Sequence, residues 1–469
     1  LYRARAEHWG TAIGDVGVGH FFWNTVAQLD TPAAFLAALS LTYEQANLDY
    51  AVYWRDAFEA VDDFESAKTL QVVYDDEIQH VRHGVHWFER LMGRCDFETY
   101  EKSLVFPLSP GRAKGAIFNR EGRHKAGLGQ AFIDELEIRN VSRGRPPKVF
   151  SFDPFVEDQV AGRTQRKPAH TISEDLASLP MFLAHKEDVV IAPRPSLPVL
   201  IDLHHAGFAI PEFATEIQAL GERVIGEKRP WGWSPLIAAA LDEPWDPRWK
   251  TLYDKTWALQ CRNEFLQNRN EPLLFGPQGR ACMNVREIMD CIERGGTWVA
   301  KAPFSTSGQH RMLIEGPIKH NAQQWITRQL IEGPLVIEPW FKRIADVSIH
   351  LDISDKNIRV IGLNRFWTVA TGTYRGASIG PWTLGLSRQI LRELHQGDAT
   401  KLLNEAGEFI GRRAQELGYR GPLGVDTLVA ETKDGPRLLP ILEANPRFTM
   451  GRIALAISKR CLGHGGWFF

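Results

Sequence analysis

Three polar side chains in an otherwise apolar stretch near the end of the chain have the types and spacing of a metal site. They are Asp426, Glu443 and Asn445, and they lie on two predicted strands separated by a turn at 433–436. Glu443 and Asn445 project to one face because side chains alternate along a strand, and the hairpin partner brings Asp426 beside them. Carboxylate and amide oxygens are ligands that Mg²⁺ takes, together with phosphate oxygens. The hairpin therefore predicts a site for Mg²⁺ and a phosphate; the alternative is a surface hairpin with ordinary charges.

Cationic and small residues elsewhere could bind the same phosphate. Arg447 follows the hairpin and projects to the face of its carboxylates, where it could meet a phosphate. Upstream, a predicted strand ends at Lys301 and leads into a loop of small residues, Ser305, Thr306, Ser307 and Gly308. Backbone N–H groups of such a loop approach phosphate oxygens closely, and the lysine supplies a point charge. The loop alone is a weak signal, and it is not a P-loop, because the lysine precedes it.

Length and composition indicate an ordinary globular protein of more than one domain. With 469 residues, the chain is expected to form two or three domains. The chain has 55 Lys and Arg and 57 Asp and Glu, so its net charge is only -2. Such a charge does not attract nucleic acid or an anionic membrane, and neither is predicted as a partner. Five cysteines without C-x-x-C spacing argue against a zinc ribbon or a disulfide framework and fit a reducing cytoplasm. No apolar run approaches the roughly 20 residues that span a bilayer, and no signal peptide is visible.

Two long helices are predicted in the first hundred residues. The first begins at Thr31, a suitable N-cap followed by Pro32 in the first helical position, and runs to about residue 60. The second runs from about Asp63 to Met92, and Gly93 ends it. Because the connection between them is short, the two helices are expected to pack antiparallel, as in a helical bundle.

A possible second metal site lies on these helices. Glu44 belongs to the first helix, and Glu77 and His80 share one face of the second because they are three residues apart. At ~1.5 Å rise per residue, Glu44 and Glu77 are each roughly 25 Å from the turn and so at the same level. One Glu with a Glu-x-x-His pair is half of a carboxylate-bridged di-metal site, whose complete form repeats the set on two more helices. The alternative is that His80 is a hydrogen-bonded core histidine.

Residues 1 to about 140 resemble a family of ferritin-like proteins of uncharacterised function. Three segments carry the resemblance: LTYEQANLDYA at 41–51, VYDDEIQHVRHGVHWF at 73–88 and PLSPGRAKGAIFNREGRHKAGL at 107–128. It implies a helical bundle with Glu44, Glu77 and His80 as metal ligands, and iron or manganese in the complete domain. In that family, a Glu helix and another Glu-x-x-His helix precede the point where this chain begins. Because the sequence starts at Leu1 without a methionine, we expect it to be truncated and its bundle incomplete.

A change of composition separates this region from the rest of the chain. Residues 141–187 are rich in Arg, Pro and Gly, and we predict that they form a linker between domains. From 188 to 469 the pattern alternates between short apolar strands and helices, which is typical of an α/β region.

The chemical groups of residues 188–469 follow one another in a definite order. In chain order, the first lysine lies on a helix, and the second ends a strand that leads into the small-residue loop. A buried strand that ends in a glutamate follows, and the carboxylate hairpin comes last. These groups are Lys255, Lys301, Glu338, Asp426, Glu443 and Asn445. The order resembles the ATP-grasp superfamily, in which two α+β lobes hold ATP between them. The predicted fold is therefore multidomain: an incomplete α-helical ferritin-like bundle, then an α+β ATP-grasp fold.

The ATP-grasp resemblance implies how the groups would surround ATP. Lys301 would contact the α-phosphate and adenine side, and Lys255 is the candidate for the other nucleotide lysine. The loop at 305–308 would fold over the phosphates. Glu338 would lie near the adenine or the ribose.

The same resemblance implies the role of the hairpin. Asp426 and Glu443 would hold Mg²⁺, with Asn445 completing the site. Asp426 replaces the commoner glutamate of such sites but keeps the charge and the oxygen ligands. Arg447 would face the γ-phosphate or an acyl phosphate.

The function that follows is an ATP- and Mg²⁺-dependent ligase that joins a small-molecule carboxylate to an amine through an acyl phosphate. Such chemistry needs positioning and charge stabilisation and no side-chain nucleophile. Tyr374 and Arg375 are candidates for holding the carboxylate substrate, since Arg pairs with a carboxylate through two hydrogen bonds. One alternative is a ferritin-like di-metal oxidase or oxygenase to which the ATP-grasp part supplies substrate. Another is a degenerate binding scaffold.

Overall fold

A computed structural model describes the chain except residues 13, 16, 18, 106, 140–144, 164–168, 222, 268, 277, 294, 305–309, 370–371, 461–464 and 469. The chain divides into two compact units. Unit 1 consists of Leu1–Pro146, His185–Glu187 and Pro195–Glu212, and unit 2 of Pro147–Ala184, Asp188–Arg194 and Phe213–Phe469.

The α-helices of the described residues are, in chain order, α1 (Tyr2–His8), α2 (Phe21–Val26), α3 (Pro32–Ala38), α4 (Gln45–Glu59), α5 (Phe64–Met92), α6 (Phe97–Ser103), α7 (Arg120–Lys125), α8 (Gln130–Ile138), α9 (Val156–Val160), α10 (Ala169–Asp175), α11 (Leu197–His205), α12 (Pro235–Ala240), α13 (Lys250–Tyr253), α14 (Lys255–Leu266), α15 (Val285–Ile292), α16 (His320–Gln329), α17 (Arg388–Gln396), α18 (Ala399–Glu416) and α19 (Met450–Ser458). None of the helices in this part of the chain is long and apolar enough to cross a membrane.

The strands are β1 (Lys148–Ser151), β2 (Val189–Ile191), β3 (Glu212–Ala214), β4 (Glu227–Pro230), β5 (Arg280–Cys282), β6 (Thr297–Lys301), β7 (Arg311–Glu315), β8 (Leu335–Pro339), β9 (Arg343–Ile353), β10 (Ile358–Thr368), β11 (Tyr374–Ile379), β12 (Gly421–Thr432), β13 (Gly435–Asn445) and β14 (Gly465–Phe468). They form a first sheet of order β3-β2-β1-β4, a second of order β5-β8-β6-β7 and a third of order β13-β12-β9-β10-β11-β14. A helical amino-terminal region is thus followed by a region with both helices and sheets, as predicted.

Unit 1 is built around the two long helical segments. The Thr31 side chain accepts a hydrogen bond from the Ala34 N–H and caps α3. Asp63 caps α5 in the same way, and α5 ends at Gly93 in the left-handed conformation. The first segment is not one continuous α-helix, however, because a π-helical turn over Leu39–Glu44 joins α3 to α4. A π-turn changes the direction in which the side chains around it project, and here it carries one of the predicted metal ligands.

Composition predicts that residues 141–187 form a linker between domains. In the structure, most of this segment, Pro147–Ala184, belongs to unit 2. It supplies β1, which pairs in parallel with β2 and β4 and buries Val149 and Phe150. Residues 195–212, which include α11, group instead with unit 1. Composition indicates that a segment favours turns, but it does not show which strands the segment pairs with. The boundaries of the structure therefore differ from the predicted boundaries at 140 and 188.

Unit 2 carries the hairpin predicted between 421 and 445. Strands β12 and β13 pair antiparallel, and Asp426 lies directly opposite Glu443. Residues opposite each other on antiparallel strands project to the same face. A large apolar core with Val425, Val429 and Ile441 lies beneath the hairpin and fixes which side chains face outwards.

Candidate functional site

A pocket in unit 2 lies between the second and third sheets. The second sheet contributes Lys301 and Glu338, and the third contributes Asp426, Glu443 and Asn445. Residues that are far apart in sequence and that were predicted to act together therefore line one pocket.

Glu443 is held by both predicted nucleotide lysines. Lys255 Nζ lies 2.9 Å from Glu443 Oε2, and Lys301 Nζ lies 3.2 Å from Glu443 Oε1. Lys255 is the first residue of α14, whose N-cap Asp254 accepts a hydrogen bond from the Thr256 N–H. Burial alone would raise the pKa of Glu443, but the charges of the two lysines outweigh burial and lower it well below its usual range. Glu443 is therefore an anion throughout the physiological pH range.

A second carboxylate continues this network of charges. Lys301 Nζ lies 2.7 Å from Glu338 Oε2, and Arg262 Nη2 lies 2.6 Å from Glu338 Oε1. Burial opposes the charge on Glu338, yet Lys301 and Arg262 together lower its pKa. Arg262, which is fully buried, was not predicted. The available signal was its place on α14, seven residues after Lys255, where two helical turns return it to the same face.

Asp426 differs from Glu443 in having polar rather than cationic partners. Ser348 Oγ donates to its Oδ1 at 2.6 Å, and Asn445 Nδ2 donates to its Oδ2 at 3.1 Å. Burial raises the pKa of Asp426 to about 6; the hydrogen bond from Ser348 opposes this rise and the charge of Glu443 adds to it. Two carboxylates that face each other across a hairpin, with an amide beside them, fit the ligand preference of Mg²⁺. A cation between them would offset both the burial of the Asp426 charge and its repulsion by Glu443, and so would lower the pKa of Asp426.

Arg447 lines the pocket but is already paired. Its Nε lies 2.5 Å from Glu157 Oε1, and Nη1 donates to the Phe448 carbonyl. The partner lies 290 residues away along the chain, on α9. The structure thus places Arg447 near the carboxylate hairpin, as expected, but with its charge opposed by a carboxylate that the sequence did not indicate.

The structure brings the remaining predicted residues into the pocket only in part, and Lys255, which contacts Glu443, is not among the residues that line it. Tyr374 lines it, whereas Arg375 is exposed and does not, because neighbours along β11 project to opposite faces. The predicted phosphate loop of Ser305, Thr306, Ser307 and Gly308 lies outside the described residues.

The pocket also contains charged residues that sequence reasoning missed. Arg343 forms an ion pair with Asp346, and Thr368 Oγ1 donates to Asp346 at 3.0 Å. Burial raises the pKa of Asp346, and Arg343 opposes the rise. A signal was present in β9, where polar residues alternate with apolar ones at Asp346, Ser348, His350 and Asp352. A polar face on a central strand indicates that something other than the apolar core lies against it.

The three predicted metal ligands of unit 1 are also close together. Glu44, Glu77 and His80 each offer an atom, and these atoms lie within 4.8 Å of one another. Asn47 Nδ2 donates to Glu77 Oε1 at 2.8 Å, and His80 Nδ1 lies 3.1 Å from Glu77 Oε2. Burial and the nearby charge of Glu77 raise the pKa of Glu44, and a hydrogen bond with Ser40 acts against them. Glu44 is the last residue of the π-helical turn over Leu39–Glu44.

Comparison by sequence finds a family and a curated relative that each match part of this chain. A family described as a protein of unknown function (DUF455) matches residues 1–134. The [butirosin acyl-carrier protein]–L-glutamate ligase of Niallia circulans is 23% identical over 152 residues, which is 32% of this chain and 33% of that protein. The chain thus matches about a third of the length of that curated relative.

Solved structures give a weaker likeness. N5-carboxyaminoimidazole synthetase from Staphylococcus aureus, complexed with ADP, aligns with 70% of this chain and 81% of its own at 13% identity and a TM-score of 0.37. Phosphoribosylamine–glycine ligase from Thermotoga maritima aligns with 66% of this chain and 71% of its own at 12% identity and a TM-score of 0.38. At these TM-scores the two alignments add no support to a functional assignment.

Proposed function

We propose that unit 2 is an ATP-grasp ligase that uses ATP and Mg²⁺ to join a carboxylate to an amine through an acyl phosphate. The observation that carries the proposal is the convergence of Lys255 and Lys301 on Glu443, directly across the hairpin from Asp426. Cations and metal-type carboxylates in one pocket are the groups that phosphoryl transfer needs. The similarity to a ligase over 152 residues supports the same class of reaction.

The residues of the pocket and the neighbouring Lys255, which contacts Glu443, would each bind a different part of ATP and its metal. Lys255 and Lys301 would bind phosphate oxygens, and the partners Glu443 and Glu338 hold the two ammonium groups in place before ATP arrives. Asp426, Glu443 and Asn445 would hold Mg²⁺, which when bound neutralises charge on the phosphates. Glu443 therefore orients the lysines and also presents an oxygen to the metal.

The reaction itself requires no nucleophile from the protein. An oxygen of the substrate carboxylate attacks the γ-phosphorus, the bond to the bridging oxygen breaks, and ADP leaves. The amine then attacks the acyl carbon, inorganic phosphate leaves, and the amine loses its proton to solvent or to a base. What the pocket must supply is alignment and charge stabilisation.

The direct test compares two glutamates of one hairpin. Calorimetry should show ATP binding that requires Mg²⁺ in the wild-type protein and falls at least about 100-fold in Glu443→Ala. Glu431→Ala on β12 is the control, because Glu431 is exposed and pairs with the exposed Lys342. Trapping of an acyl phosphate as a hydroxamate, over a panel of carboxylic acids that includes L-glutamate, then tests the reaction class. Absence of ATP binding by folded wild-type protein would refute the proposal.

We propose a second function for unit 1, the binding of iron or manganese by a ferritin-like helical bundle. The cluster of Glu44, Glu77 and His80 favours this function, because it joins one Glu to a Glu-x-x-His pair. Its test follows in the Discussion.

A further inference from the structure

The cationic side chains that line the pocket are not equivalent. They are Lys301, Arg311, Arg343 and Arg447. Three of them have carboxylate partners: Lys301 pairs with Glu338 and Glu443, Arg343 with Asp346, and Arg447 with Glu157. Among the residues that the structure describes, Arg311 has no carboxylate partner, and its hydrogen bond is a long one of 3.5 Å from Nη2 to Thr373 Oγ1. Arg311 is thus the pocket cation whose charge is left for a ligand.

The sheet register directs Arg311 towards the predicted phosphate lysine. Arg311 begins β7 and lies directly opposite Lys301 on β6. Opposite residues of an antiparallel pair project to the same face, so both cations face the pocket. Burial lowers the pKa of Arg311, and the charge of Glu443 acts against burial. An anion placed against Arg311 would offset the cost of holding this cation partly out of water.

A glycine next to Arg311 leaves room for the guanidinium. Gly372 has a φ of +84°, and a Cβ built on it would lie 2.7 Å from Arg311 Nη1 and 2.9 Å from Nη2. A side chain at this position would therefore displace the arginine. Because Gly372 and Arg311 both line the pocket, the absence of a side chain at Gly372 leaves room there for the guanidinium of Arg311.

We propose that Arg311 binds phosphate oxygens of the ATP triphosphate beside Lys301, and that it makes the pocket select a nucleoside polyphosphate over a monophosphate. This inference rests on the proposed function of unit 2. A guanidinium offers two parallel N–H donors to phosphate oxygens, which an ammonium group cannot do. Arg311 is therefore expected to contribute more than the charge alone, and lysine should replace it only in part.

The test measures the affinity of the full chain for ATP with Mg²⁺, ADP with Mg²⁺, and AMP by calorimetry. Arg311→Gln should bind ATP about 10-fold or more weakly and AMP as the wild type does, since one charged hydrogen-bond pair is lost. Arg311→Lys should fall between the two. Arg280→Gln is the matched control, because Arg280 is exposed on β5 of the same sheet and does not line the pocket. Unfolding midpoints of the variants verify that each is folded.

Two results would overturn the assignment of Arg311 and leave the ligase proposal standing. One is wild-type ATP affinity in Arg311→Gln, and the other is an equal loss of ATP and AMP affinity. Failure of the wild-type protein to bind ATP would instead overturn both proposals.

The contact with Gly372 has a separate test in a double-mutant cycle. Gly372→Ala should weaken ATP binding in the wild-type background and have little further effect in Arg311→Gln, because the side chain that it displaces is absent there. An equal loss in both backgrounds would mean that backbone strain, and not the arginine, carries the effect of Gly372.

Discussion

Each unit contains one of the largest fully buried side chains, and in both it is an arginine: Arg123 in unit 1 and Arg262 in unit 2. In unit 1, Arg123 forms a two-bond pair with Asp49, at 2.6 Å from Nη1 to Oδ1 and 2.9 Å from Nη2 to Oδ2. In unit 2, Arg262 pairs with Glu338 at 2.6 Å. The two pairs have the same chemistry but different surroundings.

In unit 1, both members of the pair also form hydrogen bonds with the backbone. Asp49 also accepts hydrogen bonds from the N–H groups of Gly115 and Asn119, each at 2.8 Å. Arg123 also donates hydrogen bonds to the carbonyls of Ala113 and Asn119. Because these hydrogen bonds are to the main chain of residues 113–119, the pair fastens the segment that precedes α7 onto α4. It is architectural.

The pair in unit 2 is open towards the pocket. Glu338 is shared between Arg262 and Lys301, and Lys301 is in turn shared between Glu338 and Glu443. A charge network that alternates in sign thus runs from the core to the pocket. A buried ion pair by itself is therefore no sign of a binding site. What distinguishes the pair in unit 2 is that its carboxylate, Glu338, lines the pocket and is shared by two cations.

Replacing each arginine by methionine tests this difference most strongly. Both Arg123→Met and Arg262→Met leave a buried carboxylate without its arginine partner, so each should lower the free energy of unfolding of its unit by about 3–5 kcal/mol. Only Arg262→Met should also weaken ATP binding, because Glu338 then pulls Lys301 away from Glu443. Hydrogen exchange read by mass spectrometry separates the two units, and calorimetry reports ATP affinity. Equal effects of the two variants on ATP affinity would contradict the distinction.

The titration of Asp426 should make both the stability of the protein and its binding of Mg²⁺ with ATP depend on pH, and this effect is expected to be smaller. Its pKa in the folded state is about 6, above the ordinary value of about 3.9. The folded protein therefore holds a proton that the unfolded chain has lost between about pH 4 and 6, and the free energy of unfolding falls across that range as the pH rises. Binding of Mg²⁺ with ATP should strengthen over the same range, by up to about tenfold per pH unit below 6, because the metal needs the carboxylate.

Asparagine variants show whether Asp426 or another titrating group causes this pH dependence. Asp426→Asn should remove that fall in stability with pH and should bind Mg²⁺ and ATP weakly at every pH. Asp434→Asn, at the exposed turn of the same hairpin, should behave as the wild type. An unchanged pH profile of stability in Asp426→Asn would assign the titration to another group.

The parts of the molecule that the sequence predicts best depend on local rules. The caps at Asp63 and Gly93 place α5 to the residue, and the turn predicted at 433–436 joins β12 to β13 through residues 433–434. These features follow from short-range backbone chemistry. The pairing of Asp426 with Glu443 also depends on a register shift between Asp426 and Leu428, which the turn does not determine. The pairing of Arg447 with Glu157 spans 290 residues and depends on how α9 packs, so no local pattern contains it.

Other differences have equally physical causes. Alternation predicts that Tyr374 and Arg375 face opposite ways, but it does not show which of them faces the pocket. The segment around Val149 and Phe150 has the composition of a linker, yet its short apolar run pairs with strands that come later in the chain. Arg311 was missed because a charged first residue of a strand is ordinary, and only the three-dimensional structure shows that no described carboxylate pairs with it.

The smallest expected effect is on metal binding by the cluster of Glu44, Glu77 and His80 in unit 1. This cluster is more exposed to solvent than the charge network of unit 2. The His80 side chain is 57% exposed, and the cluster offers three ligand residues in the described part of the chain, so weak binding is expected. Titration with Mn²⁺ or Fe²⁺ alone should show one weak site, which Glu77→Ala removes, since Glu77 contacts His80 and is close to Glu44. Glu89→Ala, exposed on the same helix, should leave it intact. Metal binding that survives in Glu77→Ala would place the metal elsewhere and leave unit 1, like its Arg123 pair, architectural.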